Sequence, residues 1–126
     1  MTNIPVITFS NGHKMPALGL GTYKSEEESV KKAIKEAINL GYRHIDTAFY
    51  YGNEREIGEA VREKIEDGTV TREDLFITTK LWNNFHREER VVPTCKQSLA
   101  NLGLDYVDLY LIHWPMAYKV ITNILP

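Results

Sequence analysis

Four apolar runs that are typical of β-strands alternate with three amphipathic helical patterns along the chain. Strand followed by helix followed by strand is the order of βαβ units, whose right-handed crossovers place neighbouring strands in parallel. The chain is therefore predicted to be an α/β protein built on a parallel sheet. The predicted strands are residues 17–21, 42–46, 75–80 and 105–112.

A β-hairpin is predicted before the first of these strands. Residues 6–9 are apolar or β-branched, and the polar residues 10–13 separate them from a second short segment at Lys14-Met15. Within that loop, Asn11-Gly12 tolerates the positive φ angles of a tight type I′ turn. We expect this hairpin to act as a plug or lid on the parallel sheet.

The three helical patterns have recognisable ends and apolar faces. Ser25 and Glu28 predict a capping box for the first helix, which ends at Gly41, and Asn53 is the predicted N-cap of the second. The third helical pattern runs from Glu88 to Leu102, and Pro93 is tolerated within it only if the regular helix starts near that residue. The predicted inward-facing residues are Val30, Ala33, Ile34, Ala37 and Ile38, then Ile57, Ala60, Val61 and Ile65, and finally Cys95, Leu99 and Leu102.

Composition and charge weigh against several functional classes. An apolar fraction of 43% and a charged fraction of 25% are ordinary for a soluble globular protein. The net charge of −2, with basic residues spread among acidic ones, gives no footprint for nucleic acid. No signal-peptide pattern and no run of roughly 18 apolar residues is present, so we expect a cytoplasmic protein without a membrane partner. Cys95 is expected to have only a packing role.

Four ionisable residues stand at or just beyond the ends of predicted strands: Asp46, Tyr51, Lys80 and His113. In a barrel of parallel strands the carboxyl ends open onto one face, so these residues can converge there. A cation about 4 Å from a phenol is worth about 4 kcal/mol at an effective dielectric of about 20. Lys80 is therefore expected to bring the pKa of Tyr51 from about 10 toward neutrality, while Asp46 keeps Lys80 charged.

These residue types suit the reduction of a carbonyl group. Tyr51 is the predicted proton donor, and a neutral His113 could donate a hydrogen bond to the carbonyl oxygen. Trp114 would provide a flat apolar wall. Because no side chain can donate hydride, a nicotinamide cofactor is implied.

Four motifs around these residues resemble the aldo-keto reductase family, and in particular its aldose and aldehyde reductases. The resemblance covers residues 4 to about 118 and implies an NADP-dependent oxidoreductase with the N-terminal half of a (β/α)8 TIM barrel, preceded by the hairpin and truncated after the fourth strand. It also implies a catalytic tetrad of Asp46, Tyr51, Lys80 and His113. The motifs are Gly19-Leu20-Gly21-Thr22, Asp46-Thr47-Ala48-Phe49-Tyr50-Tyr51-Gly52-Asn53-Glu54, Thr79-Lys80-Leu81-Trp82, and Leu109-Tyr110-Leu111-Ile112-His113-Trp114-Pro115.

The resemblance further implies NADPH as the cofactor and a small aldehyde or ketone as the substrate. Tyr23 and Phe49 replace residues that are more usual in close relatives, so the expected departure concerns substrate preference rather than the reaction. Tyr50 is expected to pack rather than to take part in chemistry. The residues implied at the nicotinamide end of the cofactor are Gly21, Thr22, Tyr23 and Asp46, and those implied in the substrate pocket are Tyr23, Trp82, His113 and Trp114.

Length introduces an alternative from another functional class. A complete barrel needs roughly 250 residues, so residues 1–126 are expected to be a partial domain with an atypical tail at 119–126. In the family, most contacts to the adenosine end of the cofactor lie in the other half. The alternative is a catalytically inactive half-barrel that serves as an interaction or regulatory fragment and self-associates through its exposed edges.

Other enzyme classes use residues of the same types. His44, Asp46 and His113 could suggest a metal-dependent hydrolase, but they provide too few ligands at recognisable spacing, and no metal is expected. Lys80 could instead form a Schiff base with a carbonyl substrate. A dinucleotide-binding open sheet is disfavoured because no third glycine follows Gly19-Leu20-Gly21 at the required spacing.

Overall fold

The computed structural model describes residues 3–119, so the predicted tail lies outside the described residues from position 120 onward. Two short strands are followed by a regular alternation of strands and helices. Single turns of 3₁₀ helix lie at Phe49–Tyr51, Arg72–Asp74 and Asn83–Phe85. The strands are β1 (Val6–Thr8), β2 (Lys14–Pro16), β3 (Leu20–Gly21), β4 (His44–Asp46), β5 (Phe76–Leu81) and β6 (Leu109–Ile112), and the helices are α1 (Glu27–Asn39), α2 (Glu54–Glu66) and α3 (Glu88–Leu102).

Strands β3 to β6 form a four-stranded parallel sheet in chain order. One helix connects each strand to the next, as βαβ units require. Asp46 of β4 lies opposite both Gly21 of β3 and Thr78 of β5, and Lys80 lies opposite Leu111 of β6. The prediction of an α/β fold with a parallel sheet is confirmed, and the strand ends that carry the candidate residues share one edge.

The N-terminal hairpin is confirmed, but its predicted turn type is wrong. Strands β1 and β2 pair antiparallel, and Thr8 lies opposite Lys14. A type I′ turn needs positive φ at both central residues, whereas Gly12 has a φ of 85° and Lys24 is the one non-glycine residue with positive φ among residues 3–119. The Gly12 N–H donates to the Phe9 carbonyl, which gives a three-residue loop with the left-handed residue last.

The buried faces of α1 and α2 pack against the sheet to form the core. Helix α1 starts after Glu26 without a side-chain cap, so the capping box predicted for Ser25 is wrong, and Ala33 faces solvent. Within residues 3–119 no helix is both long and apolar enough to cross a membrane. The core residues are Val30, Ile34, Ile38, Ile45, Ile57, Ala60, Val61, Val70, Leu75, Ile77 and Leu102.

Helix α3 spans Glu88–Leu102, the range that the sequence predicts, and it begins at Glu88 itself rather than near Pro93. Pro93 is exposed, so water can hydrate the Glu89 carbonyl that lacks an N–H partner at residue 93. The buried residues of this helix are Thr94, Ser98 and Leu102. The prediction is confirmed for Leu102, whereas Cys95 and Leu99 are only partly buried and the residue before each of them faces inward instead.

Strand β6 is shorter than predicted, and the side chain of Arg72 binds the segment that precedes it. The guanidinium donates to the Tyr106 carbonyl at 3.0 Å and to Asp108 Oδ2 at 2.8 Å. It also stacks on the Tyr106 ring, 3.9 Å from the centroid. The Asp108 N–H also donates to the Ile77 carbonyl at 2.9 Å, and regular pairing with β5 starts at the next residue, Leu109.

Gly58 marks the closest approach of α2 to α3 and gives a prediction about stability. A Cβ added there would overlap the carbonyl of Leu102, which is backbone and cannot move without shifting α3. We expect Gly58→Ala to lower the free energy of unfolding by about 1–3 kcal/mol, measured by urea denaturation. Gly21→Ala is the matched control because its Cβ would meet nothing within 4 Å. Equal losses in the two variants would contradict the prediction.

Candidate active site

The four predicted catalytic residues lie together at the carboxyl edge of the parallel sheet. Asp46 is the last residue of β4, Lys80 is the penultimate residue of β5, and His113 follows β6 directly. Tyr51 ends the 3₁₀ turn that follows β4. Residues far apart in the sequence therefore meet because parallel strands end at the same side.

The ammonium group of Lys80 is fixed by three oxygen atoms. It donates to Asp46 Oδ1 at 2.6 Å, to the Thr47 carbonyl at 2.9 Å and to the Tyr51 hydroxyl oxygen at 3.4 Å. A lysine ammonium has three donors, so all of them are used. The side chain is 12% exposed. Three acceptor oxygens suit an ammonium group. They therefore weigh against the alternative of a Schiff-base lysine, which reacts as a neutral amine.

The Tyr51 ring lies between the Lys80 ammonium and other aromatic side chains. The ammonium nitrogen is 5.0 Å from the ring centroid. The centroid of Tyr23 lies 5.0 Å away and that of His113 lies 5.6 Å away, with the His113 ring nearly perpendicular at 79°. Tyr51 is half-buried, so its hydroxyl meets a fixed cation while its ring borders the cleft described below.

His113 is held beside Tyr51 by its backbone, whose N–H donates to the Leu81 carbonyl at 3.0 Å. Its Nδ1 is buried and has no hydrogen-bond partner among residues 3–119. Burial lowers the pKa of His113 below its usual 6.5, the Lys80 charge lowers it further, and Asp46 acts in the opposite direction. The imidazole is therefore neutral near pH 7.

The lowered pKa of His113 gives a prediction about the dependence of stability on pH. Because the unfolded chain binds the proton more readily, protonation favours unfolding. The free energy of unfolding should fall as the pH drops from about 7.5 through about 6.5, the usual pKa of histidine, and His113→Gln should reduce that slope. Urea denaturation of both proteins between about pH 7.5 and about pH 5.5 measures it. An unchanged slope in the variant would contradict the assignment to His113.

A cleft of about 150 Å³ opens beside Tyr51 and is lined mainly by aromatic rings. All four residues predicted to bind substrate line it. Tyr50 also lines it and stacks on Trp82, with centroids 3.8 Å apart and planes at 15°. The sequence did not predict this position for Tyr50, because the family motif assigns the catalytic role to the next residue, Tyr51. The lining residues are Tyr23, Tyr50, Tyr51, Trp82, His113 and Trp114.

The four residues predicted to contact a cofactor meet where β3 and β4 end. A Cβ at Gly21 would meet nothing within 4 Å, so a flat group has room above this backbone. Tyr23 is 55% exposed beside it. Thr22 is buried instead, and its hydroxyl donates to the Asp46 carbonyl at 3.0 Å. The space over Gly21 would admit a planar ring, but the side chain of Thr22 faces inward and is not available for the predicted contact with the cofactor.

Glu54 is a buried residue whose environment the sequence did not reveal. The sequence shows only an acidic residue in the first turn of a helix, a position that is usually exposed, yet Glu54 is 3% exposed. Glu54 Oε1 accepts from the Thr79 hydroxyl at 2.6 Å, and Oε2 accepts from Asn101 Nδ2 at 2.9 Å. The carboxylate therefore links α2 to α3 and to the residue just before Lys80.

His44 does not form a metal site with the catalytic residues. Its Nδ1 lies 3.1 Å from the Pro16 carbonyl oxygen and its Nε2 lies 3.1 Å from the Thr78 hydroxyl. In the part of the chain that the structure describes, no three His, Cys, Asp or Glu side chains are grouped to hold a metal ion.

Burial raises the pKa of the Cys95 thiol, which disfavours the reactive thiolate.

Fold and site together define an α/β half-barrel with a lysine, a carboxylate, a phenol and an imidazole gathered at the carboxyl ends of its strands. The sequence model of the Aldo/keto reductase family matches residues 17–126. The chain belongs to this family, and the prediction that it forms the N-terminal half of the family's barrel is confirmed.

Named relatives agree with this assignment. The chain is 54% identical over 123 residues to prostaglandin-E(2) 9-reductase of Oryctolagus cuniculus. The aligned segment covers 95% of this chain and 38% of the relative. It is 53% identical over 121 residues to aldo-keto reductase family 1 member A1 of Mus musculus, covering 95% of this chain and 37% of that protein. The chain thus spans a little under two fifths of the length of these relatives.

Solved structures show the same fold. An aldo-keto reductase of Bombyx mori, solved in complex with NADP, has a TM-score of 0.88 and 46% identity, covering 94% of this chain and 41% of its own. A second aldo-keto reductase, solved with NADPH, also has a TM-score of 0.88, with 48% identity over 91% of this chain and 37% of its own. The described elements therefore correspond to a well-defined part of the family structure.

Proposed function

We propose that this chain carries the carbonyl-reducing site of an NADPH-dependent aldo-keto reductase, which converts small aldehydes or ketones to alcohols. One observation supports this most strongly: the Lys80 ammonium bridges the Asp46 carboxylate at 2.6 Å and the Tyr51 hydroxyl at 3.4 Å. A phenol beside a fixed cation is a suitable general acid for a carbonyl oxygen.

Tyr51 delivers the proton in this proposal. As its O–H bond breaks, negative charge forms on the phenol oxygen and the adjacent ammonium stabilises it. Asp46 balances the positive charge of Lys80 when no phenolate is present. The Thr47 carbonyl accepts the third ammonium hydrogen and fixes the direction of the group. Each member of the cluster therefore has a distinct task.

His113 and the aromatic walls hold the substrate. A neutral imidazole can donate a hydrogen bond to the carbonyl oxygen without competing with Tyr51 for its proton. Trp82, Trp114 and Tyr23 line the cleft and would pack against the apolar part of the substrate while excluding water. The cleft therefore favours a substrate with a flat or apolar group next to its carbonyl.

NADPH is proposed as the cofactor, since two relatives in the solved structures carry NADP or NADPH. Its nicotinamide end would be held by Gly21, Tyr23 and Asp46, where open space over Gly21 accommodates a planar ring, while the buried Thr22 supports Asp46 through its hydroxyl. When bound, the cofactor supplies hydride to the carbonyl carbon. The remaining strands of a family barrel would supply contacts to the adenosine end.

An interaction or regulatory fragment without activity is the second candidate. It is supported by the exposed apolar residues of β6, where Leu111 is 39% and Ile112 is 65% exposed. The outer edges of β3 and β6 have no partner strand among residues 3–119. Unpaired edges of this kind favour association with another chain. Size-exclusion chromatography of the 126-residue chain tests for self-association.

A chimera separates these two candidates. In it, residues 1–119 replace the matching segment of the Mus musculus relative, and NADPH oxidation is followed with glyceraldehyde. We expect turnover by the chimera and little or none by the 126-residue chain. A folded chimera without turnover would contradict the proposed active site. Turnover by the 126-residue chain that Tyr51→Phe abolishes would exclude the inactive fragment.

A further inference from the structure

A closed ring of hydrogen bonds passes through the candidate active site and through Asn53. Asn53 Nδ2 donates to the Thr22 carbonyl at 2.8 Å, and the Thr22 hydroxyl donates to the Asp46 carbonyl at 3.0 Å. Lys80 donates to Asp46 Oδ1 at 2.6 Å and to the Thr47 carbonyl at 2.9 Å. The Thr47 hydroxyl donates to Asn53 Oδ1 at 3.3 Å and closes the ring.

The three members of the ring that lie outside the catalytic cluster are shielded from solvent. Asn53 is 4% exposed, Thr22 is 1% exposed and Thr47 is fully buried. Hydrogen bonds in such surroundings are stronger than in water, and leaving one member unpaired is costly. The ring thus joins the loops after β3 and β4 to the end of β5 as one rigid unit.

Capping of α2 does not account for the side chain of Asn53. The residue occupies the N-cap position, as the sequence predicts, yet its side chain makes no hydrogen bond to the helix. An N-cap side chain works through its acceptor oxygen. Here the oxygen accepts from Thr47, while the amide nitrogen donates to the Thr22 carbonyl and, at 3.4 Å, to that of Ser25.

We propose that Asn53 is a positioning residue for carbonyl reduction: through the Thr22 carbonyl and the Thr47 hydroxyl it fixes the direction of the Lys80 ammonium toward Tyr51. This inference rests on the proposed function, because it concerns the same cluster. Asn53 touches neither the cleft nor the reacting atoms. It acts through Lys80, and a misplacement of about 1 Å at such a site can cost about 10²-fold in rate.

Two substitutions separate positioning from capping. Serine and aspartate are N-cap residues about as good as asparagine, but neither offers the amide donor. Asn53→Asp keeps the shape and the acceptor for Thr47, and Asn53→Ser is neutral, so the pair also separates lost donation from added charge. If Asn53 only capped α2, both variants would behave like the wild-type chain.

The readout is the ammonium resonance of Lys80 in the 126-residue chain, observed by proton–nitrogen NMR and assigned with Lys80→Gln. Three acceptors slow the exchange of its hydrogens, so we expect a resolved signal in the wild-type chain and its loss in Asn53→Asp and Asn53→Ser. Thr71→Ala is the control, since it breaks a capping box before β5, at the end of the sheet remote from Lys80, and should keep the signal.

Each outcome decides the inference. Retention of the signal in either folded Asn53 variant would overturn it, as would a folded wild-type chain without the signal. Loss of the signal in Thr71→Ala as well would show a general effect of destabilisation and would also overturn it. Because the measurement involves no turnover, a chimera that failed to reduce glyceraldehyde would contradict the proposed function and leave this readout intact.

Discussion

Replacing Tyr51 with phenylalanine is expected to lower the kcat of the chimera by about 10²–10⁴-fold, the range that a positioned general acid contributes. The substitution removes the hydroxyl that lies 3.4 Å from the Lys80 ammonium. It keeps the ring that packs against Tyr23 and His113. The fold should therefore be unchanged, and the loss should appear in the rate of NADPH oxidation with glyceraldehyde.

Tyr106→Phe provides the matched control for this experiment. It removes a tyrosine hydroxyl before β6, at the opposite end of the sheet, and keeps the ring on which Arg72 stacks. We expect its kcat to stay close to that of the unsubstituted chimera. If Tyr51→Phe retained more than about a tenth of the kcat, Tyr51 would not be the general acid.

Replacing Lys80 with methionine is expected to affect both rate and stability. The change removes the positive charge beside Tyr51 and leaves the Asp46 carboxylate and the Thr47 carbonyl without their donor. We expect kcat to fall by at least about 10²-fold. The free energy of unfolding should fall by about 1–3 kcal/mol, less than for a fully buried pair, because the Asp46 side chain is 35% exposed and water screens it.

A surface ion pair supplies the comparison for Lys80→Met. Lys31 lies 3.0 Å from Glu59, whose side chain is 40% exposed. Lys31→Met should change the free energy of unfolding by less than Lys80→Met does, because water screens an exposed pair, and it should leave kcat unchanged. A stability loss in Lys80→Met no larger than in Lys31→Met would mean that the Asp46 ion pair does not hold the strand ends together.

The sequence was sufficient to predict the sheet and the meeting of the catalytic residues. The order of strands and helices follows from local hydrophobic periodicity, and parallel strands must end at one edge. Asp46, Lys80 and His113 therefore converge once their strands are recognised. The position of Tyr51, within a 3₁₀ turn rather than at a strand end, rested on the family resemblance.

Features that depend on contacts between distant segments were not predictable in this way. Residues 105–108 look like a strand, but Arg72 binds the Tyr106 carbonyl and Asp108. Asn53 and Glu54 look like a helix cap and a surface acid, and only the packed structure shows that both are buried and link separate elements. Local patterns indicate polarity, whereas burial of a polar side chain depends on the partners that the fold brings to it.

Tyr51 and Lys80 act as one catalytic unit in this mechanism, and a double-mutant cycle on the chimera tests that most directly. The measured quantity is kcat for Tyr51→Phe, Lys80→Met and the double variant. If Lys80 works through Tyr51, the double variant should lose no more than Tyr51→Phe alone. If the two losses multiply, the residues act independently, and the proposed proton transfer from a lysine-activated tyrosine is contradicted.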